Sequence, residues 1–196
     1  MKTASEIFRE WYDEHTAFIK DNPTVYGDPS AMVLATSSAM GDTSARMVLL
    51  KDFGSDEFVF FTNYNSTKAL QLESNYRAGL LFWLPHLQRQ IRIEGTVLRT
   101  SRHESDAYFA TRPRESQLGA WASDQSTEIR SMADITDKME RFSKKFGGKI
   151  PRPKHWGGYR LSAERYEFWQ EGEHRLHRRL VYEKTYAGWE TMLLAP

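Results

Sequence analysis

Polar and apolar residues alternate most regularly near the middle of the chain, where Ile91, Ile93, Gly95 and Val97 interleave with Gln90, Arg92, Glu94 and Thr96. A period of two places successive side chains on opposite faces of an extended strand, so residues 88–100 predict a long strand with one wet face. Three shorter β-prone runs precede it, at 31–37, 45–51 and 58–63. Turn residues Met40-Gly41-Asp42 and Phe53-Gly54-Ser55-Asp56 separate them, as in an antiparallel meander. The stretch from Ala78 to Leu84 is almost wholly apolar and predicts a strand buried on both faces. Three more strands, at 158–170, 176–184 and 188–194, close the chain.

Helical periodicity interrupts this pattern. Ile7, Phe8, Trp11 and Phe18 predict a helix over 5–20, stopped by Asp21-Asn22-Pro23, and Asp28-Pro29 opens the first strand. Asn65-Ser66 caps a helix over 67–74. Further helices are expected over 102–111, 115–121 and 127–146, the last carrying a core stripe of Ile135, Met139, Phe142 and Phe146. Gly147-Gly148 and Pro151-Arg152-Pro153 make a loop. The fold class is therefore α+β, mainly β, with helices set between the strands of an antiparallel barrel or half-open barrel. A doubly wound parallel sheet is excluded by the lack of βαβ alternation.

Composition narrows the function. The chain has 196 residues, the length of one domain, and 40% are apolar. Aromatics reach 13%, enough to furnish a site for a flat ligand as well as a core. With 27 Lys and Arg against 26 Asp and Glu, the net charge of +1 argues against a dedicated nucleic-acid binder. The absence of cysteine excludes disulfides, thiolate metal sites and a cysteine nucleophile, and fits a cytoplasmic protein. No apolar run approaches the roughly 18 residues of a membrane span, and the charged, amphipathic start does not resemble a signal peptide. Phosphate-loop, dinucleotide, zincin and nucleophile-elbow motifs are all lacking.

Chemistry is concentrated in four segments. Glu167-Phe168-Trp169-Gln170 followed by Gly172-Glu173-His174-Arg175-Leu176-His177-Arg178-Arg179 reads as strand, turn and strand. Its arginines offer forked donors and its histidines titratable ones, which would suit an anionic aromatic ligand; a basic surface hairpin is the plain alternative. On a strand, His174 and His177 would face opposite ways and could not share a metal ion. Arg46 and Lys51 bracket an apolar strand, as anion ligands or as terminal charges reaching for water. The stretch from Phe61 through Thr62 to Lys68 sets hydroxyls and a lysine at a helix start, where phosphate can bind. Tyr108, Arg112 and Ser116 could clamp a second anion. Either of the last two segments also suits an ordinary capped helix or polar loop. Together the four suggest two phosphate sites and a flat aromatic environment.

Several of these segments, in this order, resemble the pyridoxamine/pyridoxine 5′-phosphate oxidase family. They are Arg46-Met-Val-Leu-Leu-Lys51, Phe60-Phe-Thr-Asn63, Arg89-Gln90, Arg112-Pro-Arg-Glu-Ser-Gln-Leu-Gly-Ala-Trp121, Gln125-Ser126, Trp156-Gly-Gly-Tyr159, Glu167-Phe-Trp-Gln170 and Arg175-Leu-His177. The resemblance runs from about Asp28, which matches a family aspartate near the site, to Pro196. It implies an antiparallel Greek-key split β-barrel with flanking helices, a single domain over 1–196 with residues 1–27 as an N-terminal helical extension. It also implies a homodimer with FMN at the subunit interface.

By the same resemblance Arg46, Lys51, Phe61, Thr62, Lys68, Gln90, Gln125, Ser126, Trp169 and Arg179 would contact FMN. Lys51, Tyr108, Arg112 and Ser116 would hold the substrate phosphate. Arg175 and His177 would lie over the substrate's pyridine ring as the catalytic pair, with no metal involved. The implied reaction passes a hydride from the exocyclic carbon of pyridoxamine or pyridoxine 5′-phosphate to the flavin. Oxygen then reoxidises the flavin, giving pyridoxal 5′-phosphate and hydrogen peroxide. A split-barrel flavin enzyme with another substrate, or a non-catalytic FMN or pyridoxal phosphate binder, are the alternatives.

Three features depart from the family pattern. Met1 to Tyr26 holds no counterpart of the family's basic Arg-Arg-x-Tyr segment, so the lid is expected to be missing or replaced by the first helix. Thr67 stands where an Arg is usual beside Lys68, the loss of one charged phosphate contact of about 1.5–3 kcal/mol. Arg178 stands in place of an Asp between His177 and Arg179, and is expected to change how Arg179 is held.

Overall fold

Period-two alternation and tight turns fold the chain into one curled antiparallel sheet, and the computed structural model describes residues 2–22 and 27–196. Nine strands are formed: β1 (Ala31–Ser37), β2 (Thr43–Leu49), β3 (Asp52–Gly54), β4 (Glu57–Asn63), β5 (Arg77–Leu84), β6 (Arg89–Arg99), β7 (Trp156–Gln170), β8 (Arg178–Thr185) and β9 (Gly188–Leu194). Their order is β2-β1-β5-β6-β7-β4-β3, with β8 and β9 added beyond β7. Strand β7 explains the split. Its first half, Trp156–Ser162, pairs with β4, and its second half, Arg165–Gln170, pairs with β8. Along its other edge β6 runs the whole length, with a bulge at Glu94/Gly95. Gly95 is required there, because a Cβ would lie 2.1 Å from the carbonyl oxygen of Ser162.

The barrel interior is filled by Leu34, Phe60, Leu84, Ile91, Ile93, Leu161 and Tyr166, all inaccessible to solvent. Helix α1 (Ala4–Asp21) seals one end. It opens on a capping box in which Thr3 Oγ1 accepts from the Glu6 amide at 3.3 Å and the Thr3 amide donates to the Glu6 carboxylate at 2.7 Å. Phe8, 1% exposed, packs edge-on to Phe58, Phe53 and Phe82 at 4.8, 5.1 and 5.3 Å. The helix is thus part of the main core rather than an appendage. Its expected stop holds at Asp21, while Pro23 lies outside the described residues.

Helices α2 (Thr67–Ser74), α3 (Arg102–Thr111), α4 (Arg114–Ala122) and α5 (Met132–Lys145) lie between the strands. A second, smaller cluster of Phe109, Leu118, Ile150 and Trp156 takes in Met139, Phe142 and Phe146 of the expected stripe, but not its Ile135. Among the described residues no helix is long and apolar enough to cross a membrane.

Four expectations need correction. Helix α5 begins at Met132 rather than 127, because Ser131 and Asp134 form its capping box and residues 124–127 close a turn. Strand β2 ends at Leu49, so Lys51 lies in the crossing to β3, its amide donating to Val59 at 2.8 Å. Strand β5 is not buried on both faces. Leu80, Phe82 and Leu84 point inward, whereas Trp83 is 51% exposed on an apolar outer face. Finally, β8 starts at Arg178, so neither His174 nor His177 is on a strand, and the opposite-face reasoning about them does not apply.

Candidate functional site: a cationic cavity and a separate aromatic group

Crossing points of the barrel open into a cavity of about 650 Å³. The β2–β3 crossing supplies Lys51, β4 supplies Phe61 and Thr62, and the first turn of α2 supplies Lys68. The α3–α4 junction adds Tyr108, Arg112 and Ser116, and Gln125 and Trp156 complete the wall. Among the described residues three cations line this space and no Asp or Glu does.

Lys68 and Arg112 are held by neutral groups, while Lys51 lies near enough to Asp28 for their charges to interact. Lys68 is 9% exposed and donates to Gln125 Oε1 at 2.8 Å and Ser66 Oγ at 3.1 Å. Burial, with the nearby charge of Arg46, lowers its pKa to about 8. The Arg112 guanidinium lies 4.5 Å above the Trp156 ring, and its Nη1 is buried with no hydrogen-bond partner among the described residues. Burial lowers the pKa of this arginine too. A buried guanidinium nitrogen without an acceptor is costly unless a ligand supplies one. Beside it, Phe61 stacks on Tyr108 at 4.0 Å and on Trp156 at 5.5 Å, which makes a flat aromatic wall. The arrangement can hold an anion and a planar group together.

Arg46 and Ser126 border the cavity without lining it. Arg46 Nη1 donates to Thr36 Oγ1 at 2.6 Å and to the Leu34 carbonyl at 3.0 Å, and Nη2 reaches Ser44. Gln71 ties this network together, accepting from Thr36 at 2.5 Å and Ser44 at 2.7 Å. Ser126 Oγ accepts from the Thr67 amide at 3.3 Å at the α2 N-terminus. Ser66 is the N-cap residue, but its hydroxyl donates to the Asn63 carbonyl instead of capping.

The remaining predicted residues gather elsewhere. Gln90 pairs across to Trp169, and Trp169 to Arg179, in the β6–β7–β8 register. His177 sets its ring 4.7 Å from Trp169. The Gly172 amide donates to His177 Nδ1 at 3.3 Å, so a neutral ring carries its proton on Nε2. Arg175 is exposed in the intervening turn at φ 65°, after His174 at φ 54°, two left-handed residues in succession. Gly172 fits where a Cβ would lie 2.2 Å from the Leu176 carbonyl oxygen. Trp156 in the cavity and Trp169 in this group stand at opposite ends of β7, about 40 Å apart along the strand.

Sequence reasoning missed the Gln71, Thr36 and Ser44 cradle of Arg46. It also missed Glu167, a carboxylate buried beneath Trp169 on the same face of β7. The hydroxyls of Thr36 and Ser44 on neighbouring strands, and a Glu directly before the Phe168-Trp169 pair, were the available signals.

A split barrel with a cation-lined cavity beside stacked rings is the architecture of the FMN-binding split-barrel proteins. Residues 12–146 match the family model described as pyridoxamine 5′-phosphate oxidase. Residues 156–196 match that described as pyridoxine 5′-phosphate oxidase C-terminal dimerisation region. The chain belongs to the pyridoxamine 5′-phosphate oxidase family, and with it to the flavin-dependent oxidoreductases.

Curated relatives agree. A pyridoxine/pyridoxamine 5′-phosphate oxidase of Rubrobacter xylanophilus is 52% identical over 170 residues, covering 86% of this chain and 78% of the relative. One of Caulobacter vibrioides is 45% identical over 191 residues, covering 97% and 83%. Among solved structures, PhzG from Burkholderia lata, in complex with tetrahydrophenazine-1-carboxylic acid, aligns with a TM-score of 0.87 at 27% identity, covering 97% of this chain and 91% of that one. A pyridoxamine 5′-phosphate oxidase-related, FMN-binding protein of Nostoc punctiforme shares the fold, with a TM-score of 0.73 at 15% identity and full coverage of both chains.

Proposed function

We propose that the chain is an FMN-dependent oxidase that converts pyridoxamine or pyridoxine 5′-phosphate to pyridoxal 5′-phosphate. It would act in the cytoplasm as a homodimer of one-domain subunits, with α1 part of that domain. The observation that carries this reading is the cavity lined, among the described residues, by Lys51, Lys68 and Arg112 and by no carboxylate, with one guanidinium nitrogen buried without an acceptor among those residues. Such a site is matched to phosphate esters on flat rings.

The residues present fit FMN. Lys68, the α2 N-terminus and Thr62 would take its phosphate, Arg46, Lys51, Gln125 and Ser126 its polar edges, and Phe61 would lie against it. Gln90, Trp169 and Arg179 of a second copy would complete the cofactor's surroundings. FMN would supply the redox chemistry, accepting a hydride from the substrate carbon and passing the electrons to oxygen to give hydrogen peroxide. Lys51, Tyr108, Arg112 and Ser116 would anchor the substrate phosphate. Arg175 and His177 of the second copy would cover the pyridine ring. With Nδ1 occupied by the Gly172 amide, His177 offers Nε2–H to the substrate's exocyclic oxygen or nitrogen, orienting the group without removing a proton.

The outer sheet face supports the dimer. In register, Met47, Val33, Leu81, Arg92 and Glu167 form one row across β2-β1-β5-β6-β7. This face is apolar at one end, with Met47 60% exposed, and runs into the Trp169 group at the other. A second copy covering it would bring that group to a cavity the same chain cannot reach.

The likeness to PhzG favours a second reading, in which the cavity cations take a ring carboxylate instead of a phosphate. An anaerobic spectrum separates the two. Bleaching of bound FMN by pyridoxine 5′-phosphate, with colour and pyridoxal 5′-phosphate appearing on admitting air, is expected. Bleaching only by a reduced phenazine carboxylate would replace the first reading with the second.

A further inference from the structure

Glu167 has no part in the function proposed above, yet it is the most completely enclosed carboxylate near the Trp169 group, its side chain 2% exposed. Three guanidiniums surround it. Arg179 Nε donates to Oε1 at 2.7 Å, and Arg165 Nη2 and Arg92 Nη1 donate to Oε2 at 3.3 and 3.4 Å. Glu94 grips Arg92 and Arg165 from the far side at 3.2 and 3.1 Å. Burial alone would raise the pKa of Glu167, but Arg179, Arg92 and Arg165 outweigh it and hold the carboxylate below its ordinary value. A buried cluster of this kind is a weak source of stability, because desolvation offsets most of the attraction. Its geometry is more informative.

Arg179 spends Nε on Glu167 and Nη1 on the Ala195 carbonyl at 3.1 Å. Among the described residues its Nη2 donates to nothing. The register sets Arg179 directly opposite Trp169, and Glu167 and Trp169 are two apart on β7, hence on one face. The carboxylate therefore fixes one edge of the guanidinium, and the other edge is presented beside the indole. Arg178, one residue earlier on β8, faces the opposite way, into the groove against α1 formed by Trp11, Phe168 and Leu180, so it cannot share this task.

We propose that Glu167 is a positioning residue, holding Arg179 through Nε so that Nη2 is aimed at a ligand seated against Trp169. The inference rests on the flavin site proposed above. It is tested on the full chain by FMN titration, read as quenching of flavin fluorescence, together with the midpoint potential of the bound flavin. Glu167→Gln and Arg179→Met should each weaken FMN binding about tenfold or more, the size of effect that loss of a supporting carboxylate has at metal sites. The double variant should bind no more weakly than Arg179→Met alone, since Glu167 acts only through that arginine. Both single variants should move the potential in the same direction. Arg179→Lys keeps the charge but lacks the fork, and should match Glu167→Gln.

Additive losses in the double variant would overturn the proposal, assigning Glu167 a general structural role. Wild-type FMN affinity in Glu167→Gln alongside a weakened Arg179→Met would also overturn it, while leaving the flavin site intact. Wild-type affinity in Arg179→Met would remove this group from the flavin site altogether, and the proposal with it. Should Glu167→Gln fail to fold, Glu167→Asp serves instead. It keeps the charge but shortens the reach, so weakened FMN binding at an unchanged melting temperature supports the proposal, and unchanged binding refutes it.

Discussion

The chain carries two dense groups of cations, balanced in opposite ways. Around the cavity, Lys68 and Arg112 meet only hydroxyls, amides and aromatic faces, while Lys51 lies near enough to Asp28 for the two charges to interact. On β6–β8, Arg92, Arg165 and Arg179 close on Glu94 and Glu167. A cation left without a carboxylate in a concave, half-buried place stores affinity for an anion from outside. Cations matched by carboxylates are instead fixed in orientation, and contribute shape and direction more than charge. The net charge of +1 conceals both conditions.

The sharpest way to break this contrast is to remove one side of each group and compare stabilities. Glu167→Ala removes the buried carboxylate shared by Arg92, Arg165 and Arg179, leaving the first two on Glu94, and should cost about 1–3 kcal/mol in urea unfolding. Arg112→Met removes a buried charge that faces only the Trp156 and Phe109 rings and has no hydrogen-bond acceptor for Nη1 among the described residues, so the ligand-free chain should be as stable as the parent or slightly more so. Destabilisation by Arg112→Met to the same degree would show that the cavity cations are structural after all.

Function should respond in reverse. Arg112→Met should raise KM for the phosphorylated substrate by roughly 10- to 100-fold, the worth of about 1.5–3 kcal/mol for a hydrogen bond to a charged group. The turnover number should change much less. An unchanged KM would place the substrate phosphate elsewhere.

A third distinction is in pH dependence. Lys68, with its pKa lowered to about 8 by burial and by Arg46, is charged below that value and neutral above it. Phosphate binds the charged form. FMN affinity should therefore be level from pH 6 to 7.5 and fall by up to about tenfold per unit above pH 8. Lys68→Met should bind more weakly and lose this slope. A slope that survives in Lys68→Met would assign it to another group.

The smallest effect belongs to Arg178→Asp. From the sequence alone, the Arg in place of Asp between His177 and Arg179 was expected to disturb Arg179. In the structure Arg178 turns to the α1 groove, and Glu167 holds Arg179. Restoring Asp should therefore leave FMN affinity within about twofold of the parent. A larger change would reinstate the expectation drawn from the sequence.

What could be read in advance divides along similar physical lines. Strands and helices with a clear period, such as β6 with Ile91, Ile93 and Val97 facing inward, were legible because one face of each is buried in the chain itself. The outer face of β5 misled, since Leu81 and Trp83 are apolar for a surface that another subunit would cover. The cationic segments were legible as anion binders in outline. Their balance was not, because the enclosure of Glu167 and the isolation of Arg112 Nη1 depend on contacts between residues far apart in sequence. The role of α1 was underestimated for the same reason: Phe8 reads as one more apolar position until Phe53, Phe58 and Phe82 close around it.

The central claim is that the two groups, at opposite ends of β7 in one chain, form one site across two copies. Co-expression of an Arg112→Ala chain with an Arg175→Ala chain, assayed at substrate well below the parental KM, where each alone should show little activity, tests it directly. Random pairing makes half of the dimers mixed, and each mixed dimer holds one site with both groups intact, so about a quarter of parental activity should return. A mixture as inactive as its parents, with mixed dimers verified by differential tags, would contradict the account.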